Sequence, residues 1–214
     1  MKRLVALLTL LLAGCSSQPS LPDFTASGYL ADRGAVRIWR KNQPHSVHML
    51  TVFRSFQGGD AVFTEYGWQN GNLTSIKRHL RGAQPDDVTL RFDGDGSLSF
   101  MQRQLAGRRE AVNEQTVELY KFDAQRMLRI SDTLLAGRVL LKQGRWQSGN
   151  RLQTCQNELV SPTLDESEWQ RIRQFQHRAG ERVNVAWLEA PDDTQLLDMT
   201  TEDDCQWEPQ EADF

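Results

Sequence analysis

Apolar and polar residues alternate through much of the chain between positions 28 and 107, with the period that predicts β-strands. Val36 and Ile38 would lie on one face of the clearest of these strands. Arg37 and Trp39 would lie on its other face, which is the pattern of a strand with one face in water. We therefore expect a meander of antiparallel strands in this part of the chain.

Glycine-containing turns divide the predicted strands into hairpins. Asn70-Gly71 and Asp93–Gly96 carry the Asn-Gly and Asp-Gly pairs that tolerate the positive φ of tight hairpin turns. Trp146–Asn150 predicts a third hairpin. Residues 65–82 also align with residues 90–107, but two copies are too few for a solenoid. We interpret them as two similar hairpins in one twisted sheet.

Two later segments have the apolar spacing of helices. Asn113 can cap a helix that runs to about Ala136. Asp165–Glu168 fits the acidic form of a capping box, and Leu164 with Trp169 fits the hydrophobic staple that accompanies it. The expected fold class is α+β, a mostly antiparallel β-sheet built from hairpins with two packed α-helices.

The first residues have the pattern of a secretory signal. A short basic segment, Lys2-Arg3, precedes the uncharged stretch Leu4–Leu12. That stretch is too short to span a bilayer, which takes about 20 apolar residues, but it suits the apolar region of a signal peptide. The next residues, ending in Ala13-Gly14-Cys15, resemble the lipobox of bacterial lipoproteins. An ordinary secretory signal with a chance cysteine remains the alternative.

The lipobox resemblance implies cleavage before Cys15, lipidation of its sulfur and acylation of the new amine, which anchors the protein to a membrane. Ser16 stands where an aspartate would favour the inner membrane, so we expect the outer membrane, on its periplasmic side. The chain then divides into a lipoprotein signal peptide (1–14), a polar tether (15–22) and a single α+β periplasmic domain (23–214) with an acidic C-terminal segment.

Charge is spread unevenly along the chain. Without the signal peptide, 23 basic and 28 acidic residues remain, because Lys2 and Arg3 leave with it. The segment Val183–Phe214 contains ten acidic residues and no basic one. A solvated acidic tail is the simpler interpretation. A segment that docks on an arginine-rich sheet or on a basic partner is the alternative.

Cys155 and Cys205 are the cysteines that remain once Cys15 is lipidated. An even pair in an oxidising periplasm predicts a disulfide. The closed loop of about fifty residues would stabilise the fold by roughly 4 kcal/mol in the chain-entropy model. Metal or redox use is the weaker alternative, because the pair lacks the Cys-x-x-Cys spacing.

Arginine outnumbers lysine by 20 to 5, and several arginines gather around the two similar hairpins. Guanidinium groups suit bidentate contact with carboxylate or phosphate, so these side chains are candidates for contact with an anion or a partner. The residues are Arg78, Arg81, Arg103, Arg108 and Arg109. The alternative is a strand face whose long cations shield apolar neighbours.

Catalytic and cofactor motifs are missing from the sequence, including the nucleophile elbow, the Walker loop and the dinucleotide fingerprint. His45 and His48 are three apart in or beside a strand, where they point to opposite faces. The segment that starts at Asp93 has Leu98 and Gln104 where a calcium loop needs glycine and glutamate. We therefore predict no enzyme, no cofactor and no metal. An acidic periplasmic domain also makes nucleic acid an unexpected partner.

The lipobox, the two later cysteines and the segment Phe92–Arg109 together resemble uncharacterised, domain-of-unknown-function lipoproteins of Gram-negative bacteria. The first hypothesis is a non-catalytic binding or structural module that contacts another envelope protein. The alternative is a carrier similar to lipoprotein-receptor half-barrels, with lipid or acyl chains in a groove of a curved sheet. Its groove would be lined by aromatic residues, namely Trp39, Phe53, Phe63, Trp68 and Phe100.

Overall fold

The computed structural model describes residues 22–214. The predicted signal peptide, the predicted lipidation site Cys15 and the predicted tether up to residue 21 lie outside the described residues. Neither α-helix in the described part of the chain is long and apolar enough to cross a membrane.

An eight-stranded antiparallel sheet forms the first half of the fold, and its strands pair in the order in which they follow along the chain. They are β1 (Phe24–Ala31), β2 (Gly34–Gln43), β3 (Ser46–Ser55), β4 (Val62–Gln69), β5 (Asn72–Leu80), β6 (Asp86–Phe92), β7 (Leu98–Leu105) and β8 (Arg108–Glu110). The predicted meander is therefore confirmed. Asn70 and Gly71 have φ of 50° and 81°, as the tight turn between β4 and β5 requires.

A second antiparallel sheet follows, with the strand order β11-β10-β9-β12-β13. Its strands are β9 (Leu140–Ser148), β10 (Arg151–Thr154), β11 (Leu159–Val160), β12 (Asn184–Ala190) and β13 (Asp193–Thr200). The α+β class is confirmed, but the expectation of one sheet is wrong. The pairing of β9 with β12 joins segments separated by a helix, and local patterns do not reveal such a long-range partner.

Each sheet carries one helix, so the molecule has four layers. Helix α1 (Glu114–Ala136) packs on the first sheet and α2 (Glu166–Ala179) on the second, while the other faces of the two sheets meet. Gly28 lies at this meeting point, where an added Cβ would come 2.7 Å from the carbonyl oxygen of Val36 and 3.1 Å from Leu197. A side chain there would push the sheets apart.

Both helices start where the sequence predicts. The Asn113 side chain accepts the N–H of Thr116, which caps α1. Asp165 and Glu168 form the predicted capping box of α2, since each side chain accepts the other residue's backbone N–H. Leu164 and Trp169, the predicted staple, are both buried in the core under α2.

The face of β2 that was expected to be in water is buried instead. Arg37 and Trp39 are each 1% exposed, because this face packs against the second sheet. The Arg37 guanidinium contacts Asp198 on β13 at 2.7 Å and Asp204 at 2.8 Å, and it donates to Gln143 Oε1 at 2.8 Å. Alternation along a strand therefore identified the two faces correctly but not what covers them.

The acidic C-terminal segment is not a solvated tail. Its first part forms β12 and β13, and the residues after β13 return over the inter-sheet side of the first sheet, where Trp207 packs edge-on against Trp39 with ring centroids 5.7 Å apart. Asp204 is 1% exposed. The predicted disulfide is present between Cys155 and Cys205 and fastens this segment to the end of β10. The segment does not dock on the arginine-rich hairpins. It forms an ion pair with Arg37 through Asp204.

Replacing Arg37 by methionine should lower the free energy of unfolding by about 3 kcal/mol, because Asp204 would lose its nearest cation while remaining buried. Urea unfolding measures the difference. Arg33→Met is the matched control, since Arg33 is exposed in the turn between β1 and β2 and should change stability by less than about 0.5 kcal/mol. Equal losses in the two variants would contradict the role assigned to Arg37.

Candidate functional site

A cleft of about 370 Å³ opens between α1 and the first sheet. Strands β1 to β5 supply its floor and α1 supplies its roof. The floor is formed by side chains that point toward α1, namely Tyr29, Val36, Thr51, Phe53, Val62, Thr64, Tyr66 and Arg78. The roof consists of Tyr120, Asp123, Arg126 and Met127. We call this space the tyrosine cleft.

Strand register explains why these floor residues share a face. Val36 pairs with Phe53, and Phe53 pairs with Val62 on the next strand. In the neighbouring row, Thr51 pairs with Thr64, which pairs with Arg78. Directly paired residues of an antiparallel sheet project to the same side, so the two rows lie side by side under α1.

All three tyrosines of the protein line this cleft. The Tyr66 hydroxyl donates a hydrogen bond to Asp123 Oδ2 at 2.9 Å. The Tyr29 hydroxyl lies 3.9 Å from the sulfur of Met127, which is a weak acceptor. Tyr120 enters from the helix, one turn before Asp123.

Burial keeps two of these phenols neutral. The pKa of Tyr66 lies well above its ordinary value because the ring is buried. Asp123 raises it further, because its charge repels a phenolate and because it accepts a hydrogen bond from the neutral phenol. Burial also raises the pKa of Tyr29. At neutral pH both groups are therefore hydrogen-bond donors, and neither is suited to act as a base.

Two guanidinium groups flank the tyrosines. Arg126 forms an ion pair with Asp123 at 2.7 Å on the surface of α1. Arg78 lies on the floor and contacts Asp86 at 3.2 Å. Arg103 also binds Asp86, through two nitrogens at 2.9 and 3.1 Å. These hydrogen bonds from Arg103 hold the pKa of Asp86 below its ordinary value, with the charges of Arg103 and Arg78 acting in the same direction.

The five arginines predicted to contact an anion or a partner do not form one site. Arg78 and Arg103 meet at Asp86. Arg81 instead stacks over Phe63, whose ring packs on the inter-sheet side of the first sheet, at 4.5 Å from the ring centroid. Arg108 and Arg109 are exposed neighbours on the edge strand β8 and project to opposite faces.

The five aromatic residues predicted to line one groove are also divided, and Phe53 alone lies in the tyrosine cleft. Trp39 and Phe63 face the second sheet, whereas Trp68 is buried under α1. Phe100 is 39% exposed, with Arg91 over its ring. The prediction of a shared aromatic groove is therefore wrong, because these positions fall on both faces of the sheet.

Several residues of the cleft had no functional interpretation in the sequence, namely Tyr29, Tyr66, Tyr120, Asp123 and Arg126. The helical pattern does place Tyr120 and Met127 on the packed side of α1, but it does not show which strands lie opposite. The sequence offered one signal for the cleft, the small number of tyrosines, but only the fold shows that they lie together. Within residues 22–214, no group of three or more metal-ligating side chains occurs.

Comparison with known proteins places the chain among relatives without a described activity. The model of a family described as "Protein of unknown function (DUF1481)" matches residues 26–210, which include the whole tyrosine cleft. The chain is 43% identical over 206 residues to the uncharacterized protein YjaH of Escherichia coli (strain K12), and the match covers 96% of this chain and 89% of that relative. No solved structure matches the chain.

Removing the Tyr66 hydroxyl should change how stability depends on pH. Tyr66→Phe should cost about 1 kcal/mol at neutral pH, through the lost hydrogen bond to Asp123. The wild-type phenol has a raised pKa in the fold, so its contribution is complete below its ordinary pKa of 10.0 and is lost as pH rises toward the folded value. The free energies of unfolding of wild type and Tyr66→Phe should therefore converge above the ordinary phenol pKa, by up to about 1.4 kcal/mol per pH unit.

Chemical unfolding at a series of alkaline pH values measures this convergence. Asp123→Asn is the comparison, because it removes the carboxylate but retains the buried phenol, so its stability should still fall at alkaline pH, but over a narrower pH range than that of wild type, since Asp123 contributes to the raised pKa of Tyr66. Parallel profiles for wild type and Tyr66→Phe would show that the Tyr66 phenol is not held neutral by the fold.

Proposed function

The chain belongs to the DUF1481 family of proteins of unknown function, and on that premise we propose that it is a non-catalytic binding module whose ligand occupies the tyrosine cleft. One observation carries the proposal. The three tyrosines of the protein, two guanidinium groups and an apolar floor converge on one cleft between a helix and a sheet. Such convergence of a few polar groups over apolar surface is typical of ligand sites.

The lining indicates the chemistry of the ligand. The phenol of Tyr29, whose hydroxyl has only the weak acceptor Met127 beside it, and the guanidinium groups of Arg78 and Arg126, which have N–H groups beyond those that contact Asp86 and Asp123, are hydrogen-bond donors that suit an anionic or otherwise electron-rich group. Val36, Phe53 and Val62 offer an apolar surface beside them. We infer a ligand with one acidic group and a compact apolar or aromatic body.

The carboxylate nearest the donors is occupied by protein contacts, which supports a non-catalytic role. Asp123 is the carboxylate in the cleft lining, and it already accepts hydrogen bonds from Tyr66 and Arg126. Its oxygens are therefore already engaged by donors of the protein itself. The cleft therefore suits recognition better than proton transfer.

We further propose that the module is held at the outer membrane, facing the periplasm, through lipid on Cys15. Support comes from the resemblance of Ala13-Gly14-Cys15 to a lipobox and from the disulfide, which suits an oxidising compartment. The cleft would then bind its ligand close to a membrane surface.

The pair of probes 1-anilinonaphthalene-8-sulfonate and N-phenyl-1-naphthylamine tests the ligand class, because they share an aromatic body and differ in the sulfonate. The sulfonate probe should bind more tightly and fluoresce on binding. Arg126→Gln should raise the dissociation constant of the sulfonate probe about tenfold, since one charged hydrogen-bond donor is lost. Fluorescence titration measures both constants.

Arg129→Gln is the matched control for this titration. Arg129 lies one turn further along α1, is exposed and does not line the cleft. It should bind the sulfonate probe like wild type. Equal weakening by both substitutions would place the probe elsewhere. Tighter binding of the uncharged probe would favour the alternative hypothesis of a carrier for lipid or acyl chains.

Intact mass spectrometry of the protein extracted from membranes tests the anchor. We expect the mass of residues 15–214 with three acyl chains on Cys15 and two hydrogens fewer for the Cys155–Cys205 bridge. Cys15→Ser should leave the protein unlipidated and release it from the membrane fraction. A soluble, unacylated wild-type product would refute the anchor without affecting the proposal for the cleft.

A further inference from the structure

A second cleft, of about 500 Å³, opens between the loop that follows β3, helix α2 and strand β13. It shares no lining residue with the tyrosine cleft. We call it the arginine cleft, because Arg54 of β3 and Arg171 and Arg178 of α2 all line it. Arg54 is already occupied by Asp198 and Glu202, at 3.2 and 3.1 Å.

Helix α2 presents one face to this cleft. Arg171, Phe175 and Arg178 are four and three residues apart, which places them in one row on a helix surface. Both of these arginines are exposed, and neither forms an ion pair within residues 22–214. The cleft therefore contains two cations that form no ion pair with a carboxylate of the described residues.

Apolar surface lies between and opposite these cations. Phe175 is half-buried between the two arginines of α2. Phe56, on the facing loop, is 57% exposed, although an aromatic ring of this size is usually buried in a monomer. Gly58 and Gly59 continue that loop with positive φ and with no atom near the position of a Cβ, so this side of the cleft is open.

The edge of β13 does not offer a site for an added strand. β13 is the outer strand of its sheet, but the N–H of Leu196 donates to Glu168 Oε1 at 2.8 Å, and the N–H of Met199 donates to Asp198 Oδ1 at 2.9 Å. A partner in the cleft would therefore be recognised through side chains, without strand addition.

The spacing of the cations indicates what could bind. Arg171 and Arg178 are two helical turns apart, roughly 10 Å along the axis, which allows each to bind a carboxylate of its own. An extended chain presents residues i, i+2 and i+4 on one side over roughly 13 Å, a distance that two arginines on long flexible side chains can match. Two carboxylates separated by an apolar side chain would match the row of arginine, phenylalanine and arginine on α2.

We propose that the arginine cleft binds an extended acidic peptide segment of a partner protein, with an apolar side chain between two carboxylates. The two carboxylates pair with Arg171 and Arg178, whose planar guanidinium groups suit bidentate contact. The apolar side chain lies against Phe175 and Phe56. This site is independent of the tyrosine cleft and of the ligand proposed there.

Fluorescence anisotropy with a labelled synthetic peptide tests the proposal. The peptide carries a central leucine with one threonine and then one glutamate on each side, and the control peptide has glutamine in place of glutamate. We expect binding of the glutamate peptide alone, weakened by salt. The double variant Arg171→Gln/Arg178→Gln should bind it about tenfold more weakly. Phe56→Ser should weaken it without changing the salt dependence.

Arg129→Gln/Arg138→Gln is the matched double control, because both arginines are exposed on or just after α1 and lie outside the cleft. It should bind the peptide like wild type. Equal affinity of the glutamate and glutamine peptides, or of the two double variants, would overturn the proposal. The proposal would also be overturned if the protein bound phosphatidylglycerol vesicles through Arg171 and Arg178 but did not bind the peptide. Each variant should bind the naphthalene sulfonate unchanged, which separates this test from that of the tyrosine cleft.

Discussion

One buried guanidinium determines how the two sheets fit together. Arg37 projects from the first sheet into the space between the layers, where Asp198, Asp204 and Gln143 of the second half of the chain surround it. A buried cation without partners would cost several kcal/mol, so the second sheet must present these groups at one register and distance. The apolar residues around them favour contact between the sheets, but they do not specify it so narrowly.

The acidic segment is arranged around the same cation. Burial raises the pKa of Asp204 even beside Arg37 and Arg54, so its ionised form is costly in this position. Its contribution to stability is therefore greatest below the ordinary carboxyl pKa and is lost as pH rises through the folded value, the reverse of the contribution of Asp86. The neighbouring disulfide at Cys205 offsets this cost, because it holds Asp204 in place by restricting the unfolded chain.

Features encoded within about twenty residues could be predicted from the sequence, whereas of the features that depend on distant partners only the Cys155–Cys205 disulfide could, because two cysteines leave one pairing. The hairpin at Asn70-Gly71 and the capping box at Asp165 follow from local backbone chemistry. The burial of Arg37 could not be predicted, because alternation shows that two faces differ without showing that a second sheet covers one of them. For the same reason only Arg78 among the predicted arginines lies in the tyrosine cleft.

The tyrosine cleft occupies a place where a core would be expected. Val117, Ala124 and Met127 of α1 pack on the first sheet as an ordinary apolar face does, but Tyr120 and Asp123 interrupt that face. Opposite them the sheet presents threonine, tyrosine and arginine where its rows otherwise carry Ile38 and Val88. Polar groups placed in a core layer sacrifice packing stability, and such departures from the local rule are expected where a protein binds something. This departure from an apolar core is the structural basis of our proposal that the cleft binds a ligand.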